Sequence, residues 1–156
     1  MPEATPRGRN CTIVPIFVDT NVLIYARDAS EPHKQPHAVE WMEHLWQTRT
    51  GRLSFQILQE YGAATRKLRP GLSREQARAD LRDLLAWRPL QVDAGVLEAS
   101  WLLEDRHQLS CWDALVVAAA QISGCEYLLT EDLQHGVDYS GVRAISPFRT
   151  RPNSLA

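Results

Sequence analysis

Ile16, Phe17 and Val18 form a short apolar, largely β-branched run that stops at Asp19, and Val22 to Ala26 follow as a helix-sized apolar block. The pattern predicts a strand and then a helix. Ala38, Trp41, Met42, Leu45 and Trp46 recur on one helical face, with Pro36 near the start and Gly51 closing the segment. Leu53-Ser54-Phe55 is short enough for a small strand, and Ile57, Leu58, Tyr61, Ala64, Thr65 and Leu68 trace a further helical face ended by Pro70-Gly71. Ser73 to Gln76 has the form of a capping box opening a helix with Ala77, Leu81, Leu84 and Leu85 inside, so these two helices are expected to pair as a hairpin.

Leu90-Gln91-Val92 reads as another strand, and Asp93 as the cap of a helix that runs through Val96, Leu97, Trp101 and Leu103 towards His107. Ala114 to Ala120 are apolar all round, which predicts a helix buried on most sides. Tyr127 to Thr130 and, beyond a turn containing Gly136, Val142 to Ile145 complete the strands. Strands alternating with helices argue for an α/β sandwich with a mainly parallel sheet. Residues 13–148 are expected to form one domain, with tails at 1–12 and 149–156 and no internal repeat.

Composition narrows this picture. A chain of 156 residues can bury one substantial core, and 44% hydrophobic with 23% charged residues is globular composition. No apolar run has the length that crosses a bilayer, so no membrane association is expected. Ile13 to Val18 is short, interrupted by Pro15 and runs into polar Asp19-Thr20-Asn21, unlike a signal peptide. Cys11, Cys111 and Cys125 form no C-x-x-C pair, and an odd count argues against a disulfide framework, so a reducing cytoplasm is expected. With a formal net charge of −2, a polyanionic partner would have to meet a local basic surface.

Four acids, Asp19, Glu60, Asp113 and Asp132, stand where strands end or helices begin. In open α/β sheets the site lies beyond the carboxyl ends of the strands. If the fold gathers them, two carboxylates roughly 5 Å apart repel by about 3 kcal/mol at an effective dielectric constant near 20, so the set needs protonation or a cation. Each has a plainer reading. Asp19 suits a helix N-cap, Asp132 a surface turn, Glu60 a helical first turn, and Ser110 with Asp113 a capping box. Glu131 competes with Asp132, but the two-residue period of a strand turns Asp132 to the side of Thr130. His33, His37, His44, His107 and His135 have no zinc-binding spacing and are read as surface or packing residues.

Val18-Asp19-Thr20-Asn21-Val22-Leu23-Ile24-Tyr25, Gln59-Glu60-Tyr61, Ser110-Cys111-Trp112-Asp113-Ala114-Leu115 and Leu129-Thr130-Glu131-Asp132-Leu133-Gln134-His135-Gly136, in this order, resemble the PIN-domain family, particularly the VapC-type toxins of toxin–antitoxin pairs. The resemblance runs from about Ile16 to Phe148; similar proteins start near the first strand, which leaves a misassigned start, an added segment or a native tail as readings of the extension before Ile16. It implies a three-layer α/β/α fold and a Mg²⁺- or Mn²⁺-dependent endoribonuclease that leaves 5′-phosphate and 3′-hydroxyl ends. Its acidic quartet would be Asp19, Glu60, Asp113 and Asp132, supported by Thr20, Asn21, Ser110 and Thr130. Asp19 and Asp113 are expected to hold the ion, Asp132 to complete or water-bridge its shell, and Glu60 to position or deprotonate the attacking water.

Arg66, Lys67 and Arg69, and the helical stripe Arg74, Arg78 and Arg82, are candidate contacts to RNA phosphates, beside the plainer reading of solvated surface. Most of Trp41, Trp46, Trp87, Trp101 and Trp112 lie on apolar stripes and are read as core. The resemblance also implies a VapB-type antitoxin covering the site, a homodimeric toxin, and a heterotetramer or larger assembly of the two. Two alternatives stand beside it. An α/β phosphohydrolase would share the strand-end Asp, although Asp19-Thr20-Asn21 lacks the second Asp of a D-x-D motif, and a catalytically inactive PIN-like binding module would share the fold.

Overall fold

The computed structural model describes residues 13–155. The predicted N-terminal tail, residues 1–12, lies outside the described residues. Among those described, a five-stranded sheet is combined with six α-helices. In chain order they are β1 (Ile16–Val18), α1 (Thr20–Arg27), α2 (Gln35–Thr48), β2 (Gly51–Arg52), α3 (Phe55–Ala64), α4 (Arg74–Leu84), α5 (Ala94–His107), α6 (Cys111–Ile122), β3 (Tyr127–Leu129), β4 (Asp138–Tyr139) and β5 (Val142–Ile145). The sheet order is β2-β1-β3-β5-β4, parallel except for the β4–β5 pair. The expected α/β/α sandwich with a short, mainly parallel sheet is the observed architecture.

The central strands β1 and β3 are apolar because both of their faces are covered. Phe17, Val18, Leu128 and Leu129 are fully buried, and α6 packs over β3 and β5 with Ala114 to Ala120 all inside. Local signals set the helix starts. Asp19, Ser54, Ser73, Asp93 and Ser110 each accept a helix N–H, and Ser73 with Gln76 forms the complete capping box that the sequence predicts. α3 and α4 pair as the predicted hairpin, and Asp80 ties it to α1 by accepting from Tyr61 Oη at 2.5 Å and from Arg27 Nε at 2.9 Å.

Several boundaries differ from the reading of the pattern. Gly51 does not close α2: the helix ends at Thr48, Arg49 takes the left-handed position, and Gly51 begins β2. Leu53-Ser54-Phe55 is no strand, because Ser54 caps α3 and its pairing is reduced to a single parallel bridge with Leu90, which is also all that remains of the expected strand at Leu90 to Val92. β4 was hidden in a turn-rich stretch where two residues carry no period. In the segment read as a C-terminal tail, Pro152–Leu155 forms a 3₁₀-helix, and buried Trp41 donates through Nε1 to Thr150 O at 2.9 Å. The tryptophans divide. Trp41 and Trp87 are core, whereas Trp101 and Trp112 are 56% and 65% exposed, and Trp46 lies at the surface against Trp87. Leu85, expected inside α4, is also exposed in the 3₁₀ turn that follows.

Gly51 is where the ring of Trp87 lies on the edge of the sheet, and a methyl group there would stand only 2.4 Å from the ring carbons. Gly51→Ala is therefore expected to push Trp87 outward and cost about 1–3 kcal/mol. Urea denaturation checks this, and an unchanged midpoint would contradict the contact.

Candidate active site

β1 and β3 are adjacent and parallel, with Val18 opposite Leu129, so Asp19 and Thr130 emerge side by side beyond their carboxyl ends. The Asp19 N–H donates to Leu129 O and the Thr130 N–H to Ile145 O, both at 3.0 Å, which extends the ladder one residue past the strands. Asp19 is only 7% exposed and serves two elements at once. Its Oδ1 accepts the Thr20 N–H at 2.7 Å as the α1 cap, and its Oδ2 accepts the hydroxyl of fully buried Thr130 at 2.7 Å.

The first turn of α1 links this carboxylate to two others. Thr20 Oγ1 donates to Glu60 Oε2 at 2.6 Å, and Asn21 Nδ2 donates to Asp132 Oδ2 at 3.0 Å. Asn21 Nδ2 also approaches Asp19 Oδ2 and Thr130 Oγ1 at 3.4 Å each. Thr130 Oγ1 in turn accepts the Asp132 N–H at 3.1 Å, which fixes the bend after β3. Glu60 is held from its own helix as well, since Gln56 Nε2 donates to its Oε1 at 2.8 Å. Asp19, Glu60 and Asp132 thus belong to one hydrogen-bonded network, with Thr20, Asn21 and Thr130 as its connectors.

Asp113 is placed differently. It lies half-buried in the first turn of α6, where Ser110 Oγ accepts its N–H at 3.2 Å. The reciprocal half of the expected capping box, from the Asp113 carboxylate to the Ser110 amide, is not formed. Among the described residues no hydrogen bond or ion pair joins that carboxylate to the other three acids. Glu131, the competitor of Asp132, turns to Lys34 and Tyr25 instead. The histidines play packing parts: His135 Nδ1 accepts the Ser146 N–H at 3.0 Å, and His107 meets Ser140.

Electrostatics single out Asp19. Burial pushes its carboxyl up from 3.8 to about 6, and the negative charges of Asp132 and Glu60 push the same way, while hydrogen bonds from Thr130 and Thr20 oppose them. Among the described residues no three His, Cys, Asp or Glu side chains already converge as a ready-made cage for an ion. The donor set nevertheless suits a hard cation. It is all oxygen, and Asn21 Oδ1, buried beside two carboxylates, has no partner among the described residues. These residues fit an ion that keeps several of its own waters.

The candidate cations lie on the α3–α4 hairpin. Arg66, Arg78 and Arg82 border an apolar groove of about 540 Å³ floored by Phe55, Leu58, Leu81 and Leu85, while Lys67, Arg69 and Arg74 are exposed outside it. Among the described residues none of the six is paired with the acidic network. The pattern of the chain left out Gln56 and the Lys34–Tyr25–Glu131 contact. Gln56 was open to reading, because it stands four residues before Glu60 on one helical face.

The fold has known counterparts. A toxin–antitoxin complex from Klebsiella pneumoniae superposes with a TM-score of 0.62 at 20% identity, covering 85% of this chain and 97% of that one. Mycobacterium tuberculosis VapC20, described as a sarcin–ricin-loop-cleaving toxin, gives a TM-score of 0.56 at 24% identity over 72% and 86% of the two chains. DNA-bound VapBC from Salmonella typhimurium gives 0.61 at 17% identity over 86% and 98%. No curated protein is significantly similar in sequence. The PIN domain profile matches residues 16–136, from the first residue of β1 to the turn beyond Asp132. That span takes in Asp19, Glu60, Asp113 and Asp132 together, and on it the chain belongs to the PIN domain family.

Proposed function

We propose that the chain is the toxin of a toxin–antitoxin pair and acts as a divalent-metal-dependent endoribonuclease. The observation that carries this reading is the network joining Asp19, Glu60 and Asp132 at the carboxyl edge of a parallel sheet, with an unpartnered amide oxygen between them. Asp19, Asp113 and Asp132 would hold Mg²⁺ or Mn²⁺. When bound, such an ion supplies polarisation of the scissile phosphate and lowers the pKa of a bound water.

The chain's own residues do the rest. Glu60, gripped by Thr20 and Gln56, is aimed to take the proton of the attacking water. Thr130 and Asn21 hold Asp19 and Asp132 at fixed bearings, so ordering is done before substrate arrives. As the family resemblance implies, attack with the 3′-oxygen as leaving group would give 5′-phosphate and 3′-hydroxyl ends. The exposed cations Arg66, Lys67, Arg69, Arg74, Arg78 and Arg82 are the candidate phosphate contacts.

An RNase of this kind needs a check, and a VapB-type antitoxin that places a basic side chain among the carboxylates would supply one. A homodimer, and a heterotetramer or larger assembly with antitoxin, fit the packing of α5 on α6, which leaves Leu97, Trp101, Leu102 and Trp112 exposed. The toxin is placed in the cytoplasm, where it would meet both RNA and antitoxin; among the described residues no helix is long and apolar enough to cross a membrane.

Three outcomes test this reading. Wild type is expected to cut total RNA only with Mg²⁺ or Mn²⁺, and Asp19→Asn and Asp113→Asn to lose at least about 100-fold in rate, the scale of losing a group that stabilises developing charge; unchanged cleavage by both variants, with ends mapped by sequencing, would sink the mechanism. The pH dependence has a definite sign. Because the Asp19 carboxyl rises from 3.8 to about 6 on folding, chiefly through burial, the folded state binds its proton more tightly. Asp19 therefore withdraws up to about 3 kcal/mol of stability as pH climbs through that window. Metal-free Asp19→Asn is expected to melt no lower than wild type at pH 7.5, with its advantage shrinking towards pH 4.5; a constant gap across that range would contradict it. Trp101→Glu with Leu102→Glu is expected to shift the free toxin to a monomer by light scattering while its circular dichroism stays unchanged. A dimer that persists would place the pairing surface elsewhere.

A further inference from the structure

Glu131 lies between Thr130 and Asp132 and is held by a separate cluster. Lys34 Nζ is 2.9 Å from Glu131 Oε2 and donates to Tyr25 Oη at 2.9 Å, while Tyr25 Oη donates to Glu131 Oε1. The ammonium stands 4.5 Å from the Tyr25 ring centroid and 5.4 Å from that of Phe148, and those rings meet edge to face at 5.5 Å. Lys34 is delivered by an ordered connection. After α1, Asp28 Oδ1 accepts from Ser30 N and Oγ, and the Lys34 and Gln35 amides both return to Glu31 O.

Asp132 is exposed, and among the described residues only Thr130 Oγ1 at its amide and Asn21 Nδ2 at its carboxylate give it a bearing. A clamp on the neighbouring residue supplies the third constraint. We propose that Lys34 and Tyr25 are positioning residues, which hold Glu131 on the α2 side of the bend and so keep Asp132 turned towards Asn21 and Asp19. Resting on the metal-dependent reading above, this proposal assigns a role to side chains outside the acidic quartet. It also accounts for Glu131 itself, which the clamp keeps from adding a further negative charge to the network. An ion pair whose side chains are 35% and 25% exposed contributes only modestly to folding stability, so its loss should register more in the site than in the melting curve.

Charge alone makes the opposite prediction, which gives the test its edge. Removing the positive charge of Lys34 from the neighbourhood of a cation site would tighten ion binding by Coulomb's law, whereas removing a positioning residue would weaken it. The experiment is Mn²⁺ titration by calorimetry of wild type, Lys34→Met, Lys34→Arg, Tyr25→Phe and, as control, Asp19→Asn, each checked for folding by thermal melt. The expected result is about 10-fold weaker Mn²⁺ binding for Lys34→Met, the scale seen when groups that orient metal ligands are lost. Tyr25→Phe, which changes no charge, should move the same way, and Lys34→Arg should recover most of the affinity. With an RNA oligonucleotide, Lys34→Met should lower kcat and leave KM near its wild-type value. Mn²⁺ affinity as tight as wild type or tighter in both Lys34→Met and Tyr25→Phe overturns the proposal. So does a rise in KM alone, which would make Lys34 a direct RNA contact. If Asp19→Asn binds Mn²⁺ as wild type does, the metal reading of the site has failed, and the role of the clamp fails with it.

Discussion

Everything at the site depends on one register, the parallel pairing that sets Val18 beside Leu129. It carries a carboxylate and a hydroxyl to the same point beyond the sheet, where Asp19 is too deep for water to solvate freely. A buried carboxylate must find donors or give up its charge. Asp19 finds the α1 amide of Thr20 and the hydroxyl of Thr130, and burial still holds its proton affinity well above the ordinary range. A slip of one residue would turn Thr130 to the other face and leave Asp19 with the Thr20 amide and only the long Asn21 contact at 3.4 Å.

The same arrangement removes the conflict between structural and chemical readings of these residues. Strand ends and helix starts meet at one edge, so a residue that caps a helix there also faces the site. Asp19 performs both tasks through different oxygens: Oδ1 closes α1 and Oδ2 faces Thr130 and Asn21. Asp113 resolves the matter differently, because Ser110 supplies the cap and, among the described residues, leaves the Asp113 carboxylate uncommitted. Capping is thus a reason why Asp19 stands here, and its second oxygen leaves it free to serve the site as well.

How much of this could be read from the chain follows from what periodicity records. Long apolar faces, such as Ala114 to Ala120, and the Ser73–Gln76 box came through because each is decided within a few residues. β2 and β4 have two residues each and therefore no period to read; their existence is decided by a neighbouring strand. The tryptophans show a second limit. A stripe predicts which way a side chain faces on its own helix, but not whether another element covers that face, so Trp41 is core while Trp101 on an equally plausible stripe is exposed. At the site, the acids were marked by their flanking residues, and Asp132 was separated from Glu131 by strand alternation. The partners of Glu131 come from α1 and the start of α2, about a hundred residues away in sequence, and no local rule joins them.

The carboxylates are not equivalent, and the difference bears on control. Asp19 is buried, Glu60 and Asp113 are half-buried, and Asp132 is exposed. The unmet demand for positive charge therefore grows towards Asp19, while the route to it is bordered by the more solvated acids. On the proposed reading, a divalent ion and a basic side chain from an antitoxin would answer that same demand. Occupancy by one would lower the electrostatic drive for the other, so inhibition and activation become competing solutions to one buried charge. Such a switch requires no rearrangement of the sheet, since the demand lies in a single carboxylate whose burial already raises its pKa to about 6.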